Sequence, residues 1–383
     1  MNRETAEPAY GFDADEIAAD IARWAAVESP STDPAAVNRM MDLAAETMAA
    51  LGAEVERFTG LIGVGDAVKA HFAWGEGPGI MVLGHLDTVH LVGTVADELP
   101  VRREGDRLYG PGVLDMKGGM YLAAHALARV IKARDRLAVP VTFLFIPDEE
   151  IGSPASRGLI EREAGKCKYV LVPEPGKETF VTGRHAVLRF NLATFGKPAH
   201  AGRAQGPGRS AISVMARLIT EIEGFSDVGK EITYRVGNID GGTFVNVVPA
   251  VCRAEVLCVA PTHEAFEEIR GRMGALTSPD PDVRLEVTPG PVRPLFQIDA
   301  GTRDLCGLAG RIARDLGLDL GEGQYGGGSD GNFTGALGIP TLDGLGPTGD
   351  GVHTKQEYLD VSSLVPRARL LAGLYEALSD RND

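Results

Sequence analysis

Positive charge is scarce in this sequence. Its 38 Lys and Arg residues face 53 Asp and Glu, for a formal net charge of −15 at pH 7. A nucleic-acid binder needs a Lys/Arg surplus to neutralise phosphates, so that class is excluded. Cysteine is sparse as well: Cys167, Cys252, Cys258 and Cys306 show no Cys-x-x-Cys spacing. This argues against a thiolate zinc site or redox pair and predicts reduced, partly buried thiols. No run approaches the roughly 18 apolar residues of a membrane span. Met1–Asp20 lacks the basic-then-apolar order of a secretory leader. The expected setting is cytoplasmic, without membrane or nucleic-acid partners.

Glycine is abundant: 49 of 383 residues, well above the usual share of about 7%, with no collagen-like period. Many must sit in turns and close backbone approaches, where active-site loops are built. Apolar spacing predicts helices over 14–24 and 36–51, the second closed by Gly52. Short apolar runs at 80–83, 141–146 and 169–172 read as buried strands, with a helix over 120–132 among them. From about Arg184 the texture changes to a strand over 187–194, a helix over 210–223, strands within 243–257 and a helix over 263–276. That plan suits a small α+β insert. A helix over 305–316 and a short strand over 340–342 then return to the first sheet. The expected domains are 1–183, an insert 184–293, and 294–383 completing the first.

Polar residues gather at the ends of these strands. His85 and Asp87 follow the first run within Gly84-His85-Leu86-Asp87-Thr88, and on an extended backbone they share one side. Asp115 lies among Gly110, Gly112, Gly118 and Gly119; the plain alternative is a helix N-cap. Asp148-Glu149-Glu150 ends the run 141–146, and such adjacent acids need either solvent or a cation. Glu174 ends the next run, and His353 lies in a glycine-rich loop near the chain end. Open α/β sheets place their sites at the C-terminal ends of strands. Two imidazoles and several carboxylates suit a pair of zinc-like ions with one acid shared, leaving another acid to move a proton. Gly326-Gly327-Gly328-Ser329-Asp330 lacks the Gly-Lys-Ser/Thr of a phosphate loop.

The motifs Gly84–Val89, Tyr109–Gly119, Asp148–Ser153, Gly326–Asp330 and His353-Thr354, with Ser29-Pro30-Ser31 upstream, resemble one metallopeptidase family. It is that of carboxypeptidase G, acetylornithine deacetylase and succinyl-diaminopimelate desuccinylase, and the carboxypeptidase G branch is the most similar. The resemblance implies an α/β catalytic domain with a mixed sheet and helices on both faces. It also implies an inserted ferredoxin-like α+β domain for dimerisation and lid closure. His85, Asp115 and Glu174 would hold one ion, and Asp115, Glu150 and His353 the other. Two Zn2+ are expected, with Mn2+ or Co2+ as alternatives and one position able to stand empty. Asp87 would orient His85, and Glu149 would act as general base. The Asp115–Met116 peptide is a candidate for the cis form. His200, from the partner of a homodimer, would stabilise the oxyanion, and Asn246 and Arg293 would hold a substrate carboxylate.

Two departures bear on specificity. Relatives usually read Asp-x-Arg where this chain has Leu257-Cys258-Val259, and Arg-Lys-Gly where it has Arg184-His185-Ala186. The expected pocket keeps one carboxylate anchor and takes a less acidic or aromatic group. The expected reaction is hydrolysis of an amide C–N bond beside a carboxylate, as in carboxypeptidases and N-acyl-amino-acid deacylases. The alternative is an aminohydrolase acting on an aromatic acid such as a nitroanthranilate. A metal-binding relative without turnover fits poorly with an intact Glu149, His200 and ligand set.

Overall fold

A computed structural model describes residues 10–202 and 206–381. Helices begin where the sequence supplies caps. Asp13 accepts the N–H groups of Asp15 and Glu16 ahead of Ala14–Ala25, and Asp33 accepts that of Ala36 ahead of Pro34–Ala50. The first of these buries Ile17, Ile21 and Trp24 on one stripe, as its spacing requires.

The chain divides into two compact units. One comprises residues up to Gly183, Gln297–Gln324 and Ser329 onward; the other is Arg184–Phe296 with Tyr325–Gly328. The first unit is built on an eight-stranded mixed sheet. At its centre lie three parallel strands: β1 (Gly79–His85), β2 (Val141–Ile146) and β3 (Cys167–Val172), ordered β2-β1-β3. Strands β1 and β2 are buried throughout, which explains their unbroken apolar runs. Antiparallel strands Ala67–Phe72 and Glu54–Phe58 extend the sheet beyond β2; Thr341–Asp343 pairs parallel with β3. Helix α1 (Lys117–Arg134) packs against Ala14–Ala25 and Leu364–Ser379, with Tyr375 Oη donating to Ala123 O at 3.1 Å. A separate ribbon joins Arg102–Glu104 and Arg107–Tyr109 to Gly349–Asp350 and Tyr358–Asp360.

The second unit has the antiparallel strands β4 (Ala186–Phe195), β5 (Thr233–Gly241), β6 (Val251–Ala260) and β7 (Arg284–Arg293), ordered β5-β6-β4-β7. Helices α2 (Ala211–Glu223) and α3 (His263–Gly274) complete a β-α-β-β-α-β plan around their own core.

The expected strands within 243–257 need correction. Only the stretch from Val251 onward is a strand; Gly242 adopts φ +85°, and the chain turns through Phe244 and Val245, both solvent-facing. The strand that precedes this turn, β5, lay outside the expectation. It is an edge strand exposed along most of its length, so burial imposes no apolar alternation on it. All four cysteines are free thiols. Among the described residues no helix is long and apolar enough to cross a membrane.

Candidate metal centre

Parallel pairing brings the polar strand ends to one level. His85 is the last residue of β1 and pairs with Ile146, so Asp148–Glu150 emerge beside it; Leu86 N donates to Ile146 O at 3.0 Å. On the other side the register aligns Val82 with Leu171, and Glu174 follows two residues beyond the end of β3. Glu174 is buried there. Asp115 arrives from the glycine-rich loop, and its peptide bond to Met116 is cis. Helix α1 is capped by Met116 without a side-chain bond, so Asp115 is not its N-cap. The close packing here demands glycine: a Cβ on Gly118 would lie 2.0 Å from Val113 O, and one on Gly119 1.8 Å from Pro173 O.

The two oxygens of Asp115 address two different histidines. Oδ1 lies 3.1 Å from His85 Nε2, and Oδ2 lies 3.3 Å from His353 Nε2. His353 Nε2 is also 3.0 Å from Glu150 Oε2, and His85 Nε2 is 3.9 Å from Glu149 Oε2. Asp148 and Glu149 are buried, so this acidic turn is not a solvated surface loop. Burial pushes Asp148 up to about 6 and raises Glu150 despite its bond to His353. Burial also opposes the charged form of Asp115, yet His353 and His85 hold it well below the usual carboxylate range. His353 is raised by its hydrogen bonds to Asp115 and Glu150. In His85 the bonds to Asp115 and Asp87 overcome the opposing effect of burial.

The carboxylates that raise both imidazoles face the same ring nitrogens a cation would bind, so cation binding would compete with protonation there. One ligand atom each from His85, Asp115 and Glu150 lies within 4.8 Å of the others. Imidazole and carboxylate donors converging in this way fit a divalent ion.

Asp87 does more than orient a ring. His85 Nδ1 is 3.0 Å from the carbonyl oxygen of Asp87 and 3.4 Å from its carboxylate. That carboxylate also accepts the backbone N–H groups of Glu149 (3.1 Å) and Glu150 (3.2 Å) and the hydroxyl of Ser31 (2.6 Å). Asp87 therefore clamps the turn that presents both acids. Sequence reasoning missed this use of Asp87 and the part played by Ser31, because both bonds join segments far apart in the chain.

The remaining candidates lie in the second unit. His200 forms a bridge with Val247, and Ala201 N donates to Asn246 O at 2.9 Å, so His200 and Asn246 share one loop cluster. Gly202 N–H donates to His200 Nδ1 at 3.1 Å. In the neutral ring the proton therefore sits on Nε2, ready to donate. Arg293 ends β7 and is buried, which excludes a plain surface arginine. A Cβ on Gly328 would come within 2.6 Å of its Cδ. Arg184 Nη1 donates to Gly327 O at 3.0 Å, and His185 N donates to Tyr325 O at 2.9 Å. The segment Tyr325–Gly328 thus gathers Arg184, His185 and Arg293 beside it.

The sequence pattern of peptidase family M20/M25/M40 matches residues 81–377, most of the chain, including His85, Asp87, Asp115, Glu149, Glu150, Glu174 and His353. The chain belongs to this family. As an M20/M25/M40 peptidase it is a metal-dependent hydrolase of C–N bonds in peptides or acyl-amino acids. It is 32% identical to carboxypeptidase G2 of Pseudomonas sp. (strain RS-16) over 320 residues, covering 81% of this chain and 76% of the relative. Its fold is shared with an M20 family metallo-carboxypeptidase from Sulfolobus solfataricus (TM-score 0.75, 16% identity, 96% and 100% of the two chains). A dinuclear metal-binding M20 peptidase of Bacillus subtilis is also similar in fold (TM-score 0.63, 16% identity, 96% and 98%). In family terms, the expected mixed α/β fold with a second α+β unit is what this M20/M25/M40 chain has.

Proposed function

We propose that this M20/M25/M40 peptidase cleaves an amide bond beside a free carboxylate, as a carboxypeptidase or N-acyl-amino-acid deacylase. The observation that carries the reading is the two-sided Asp115, each oxygen turned to a different histidine while Glu149 stands beside the same His85. His85, Asp115 and Glu174 would hold one ion, and Asp115, Glu150 and His353 the other; zinc suits these donors, as do manganese and cobalt. The bound ions supply Lewis acidity and a more acidic water.

Glu149 takes a proton from the attacking water and returns it to the leaving nitrogen. Asp87 keeps Glu149 in place by bonding its backbone N–H. His200 of a partner subunit donates its Nε2–H to the developing oxyanion. Arg293, with Asn246, binds the substrate carboxylate; a guanidinium fork matches it in charge and shape.

The reading is tested with zinc-loaded protein and a panel of N-acyl-amino acids and dipeptides, each with a free or amidated carboxylate. Hydrolysis of the free acids with at least tenfold loss on amidation is expected. Equal rates on both would reject the carboxylate anchor. An amino-aromatic acid belongs in the panel: ammonia release from it, without amide cleavage, would favour the aminohydrolase.

A homodimer sharing its sites makes a second, sharper demand. His200→Ala and Glu149→Gln chains, each inactive alone, should regain activity after subunit exchange. The mixed dimer then has one site with an intact Glu149 and an intact partner His200. No recovery in demonstrated mixed dimers would place His200 in its own chain's chemistry or outside it.

A further inference from the structure

Four residues beyond His353, Glu357 is almost fully buried and outside the set of candidate ligands. Tyr358–Asp360 pairs with Arg107–Tyr109, so the residue entering the first strand faces the loop leaving the second. There the carboxylate of Glu357 meets four donors. Oε1 accepts the backbone N–H groups of Leu114 at 3.0 Å and Asp115 at 3.1 Å. Oε2 lies 3.1 Å from Gly112 N and 3.1 Å from His90 Nε2.

The loop so held is the one that carries Asp115. Its backbone N–H groups at Gly112, Leu114 and Asp115 point inward and need an acceptor there. A single carboxylate, with two oxygens and several lone pairs, accepts all three and still meets His90. Asp115 must present opposite faces of one carboxylate to His85 and His353, which leaves little tolerance in its backbone. Partners behind metal ligands set ligand orientation and tune affinity.

We propose that Glu357 is a positioning residue of the metal centre, with His90 as its support: it fixes the 112–115 backbone so that Asp115 can face both histidines. The proposal rests on the metal-centre reading above. Glu357→Gln keeps the side chain's size but replaces one acceptor oxygen with an NH2 group that opposes the inward N–H groups.

The test has two readouts. In metal-free protein, amide hydrogen exchange at residues 112–115 should quicken at least tenfold in Glu357→Gln, while the thermal midpoint stays near that of the unsubstituted protein. Zinc affinity, measured by competition with a chromophoric chelator, should fall about 10- to 100-fold. His90→Gln, which leaves the three amide bonds in place, should fall by a smaller factor in the same direction. Affinity within twofold for Glu357→Gln overturns the proposal. If Glu357→Gln fails to fold, unchanged affinity in His90→Gln overturns it and a measurable loss upholds it. Asp115→Asn separates the two levels. If that variant binds zinc normally, the metal-centre reading has failed, whereas accelerated exchange without weaker zinc binding refutes the positioning role alone.

Discussion

Glu149→Gln should take up as much metal as the unsubstituted protein and lose turnover by about 10³-fold, within the range expected for a lost general base. Glu149 lies in the turn that follows β2, with its backbone N–H bonded to Asp87 and its carboxylate 3.9 Å from His85 Nε2. Glutamine is close to isosteric and leaves that backbone bond intact, so the turn and the neighbouring Glu150 stay in place. What it removes is an acceptor basic enough to take a proton from water. KM should change little, because the carboxylate anchor is assigned to Arg293. Metal analysis beside steady-state kinetics checks this. A kcat within tenfold of the unsubstituted value would end the base assignment, and lost metal would make Glu149 a ligand instead.

Asp115→Asn should have the larger effect on metal content. Asp115 is the group that reaches both His85 and His353, so its loss weakens both positions at once. An amide offers one weak acceptor where the carboxylate offered two charged ones. Affinity should fall well beyond the roughly 10- to 100-fold that outer partners cost, and activity should vanish with it. The metal-free fold should survive, since the Asp115 backbone is held through Glu357 and one charge leaves a crowded acidic nest. The histidines should respond too. Asp115 helps to hold both above their ordinary range, so removing its charge lets each release its proton at lower pH. Metal analysis, calorimetry and imidazole proton resonances report these three effects. A full metal complement in Asp115→Asn would refute the bridging role.

Much of the candidate site is legible in the sequence. The apolar run 141–146 is β2 from end to end, and the acids that follow it are where a buried parallel strand must release its chain. His85 ends its strand in the same way, so an apolar run and its end together mark where His85, Glu149 and Glu150, the proposed ligands and base, leave the sheet. The edge strand β5 went unseen because a strand facing solvent carries no period of two. Residues 243–250 misled for the opposite reason: Phe244 and Val245 look like core, yet they sit on an exposed turn.

The sequence by itself determined which residue types meet at the sheet's edge and the order in which the chain delivers them. Local backbone preference and burial are encoded within a few residues, and so are the glycines that permit the Asp115 loop. Tertiary structure alone decided how those residues are held. Ser31 reaches Asp87 across 56 residues, and Glu357 reaches Gly112 across 245. Such bonds leave no periodic trace, because their geometry exists only once distant strands have paired. The four residues Tyr325–Gly328 likewise join the second unit through hydrogen bonds and packing at Arg184, His185 and Arg293, which no reading of their own glycine-rich sequence could assign.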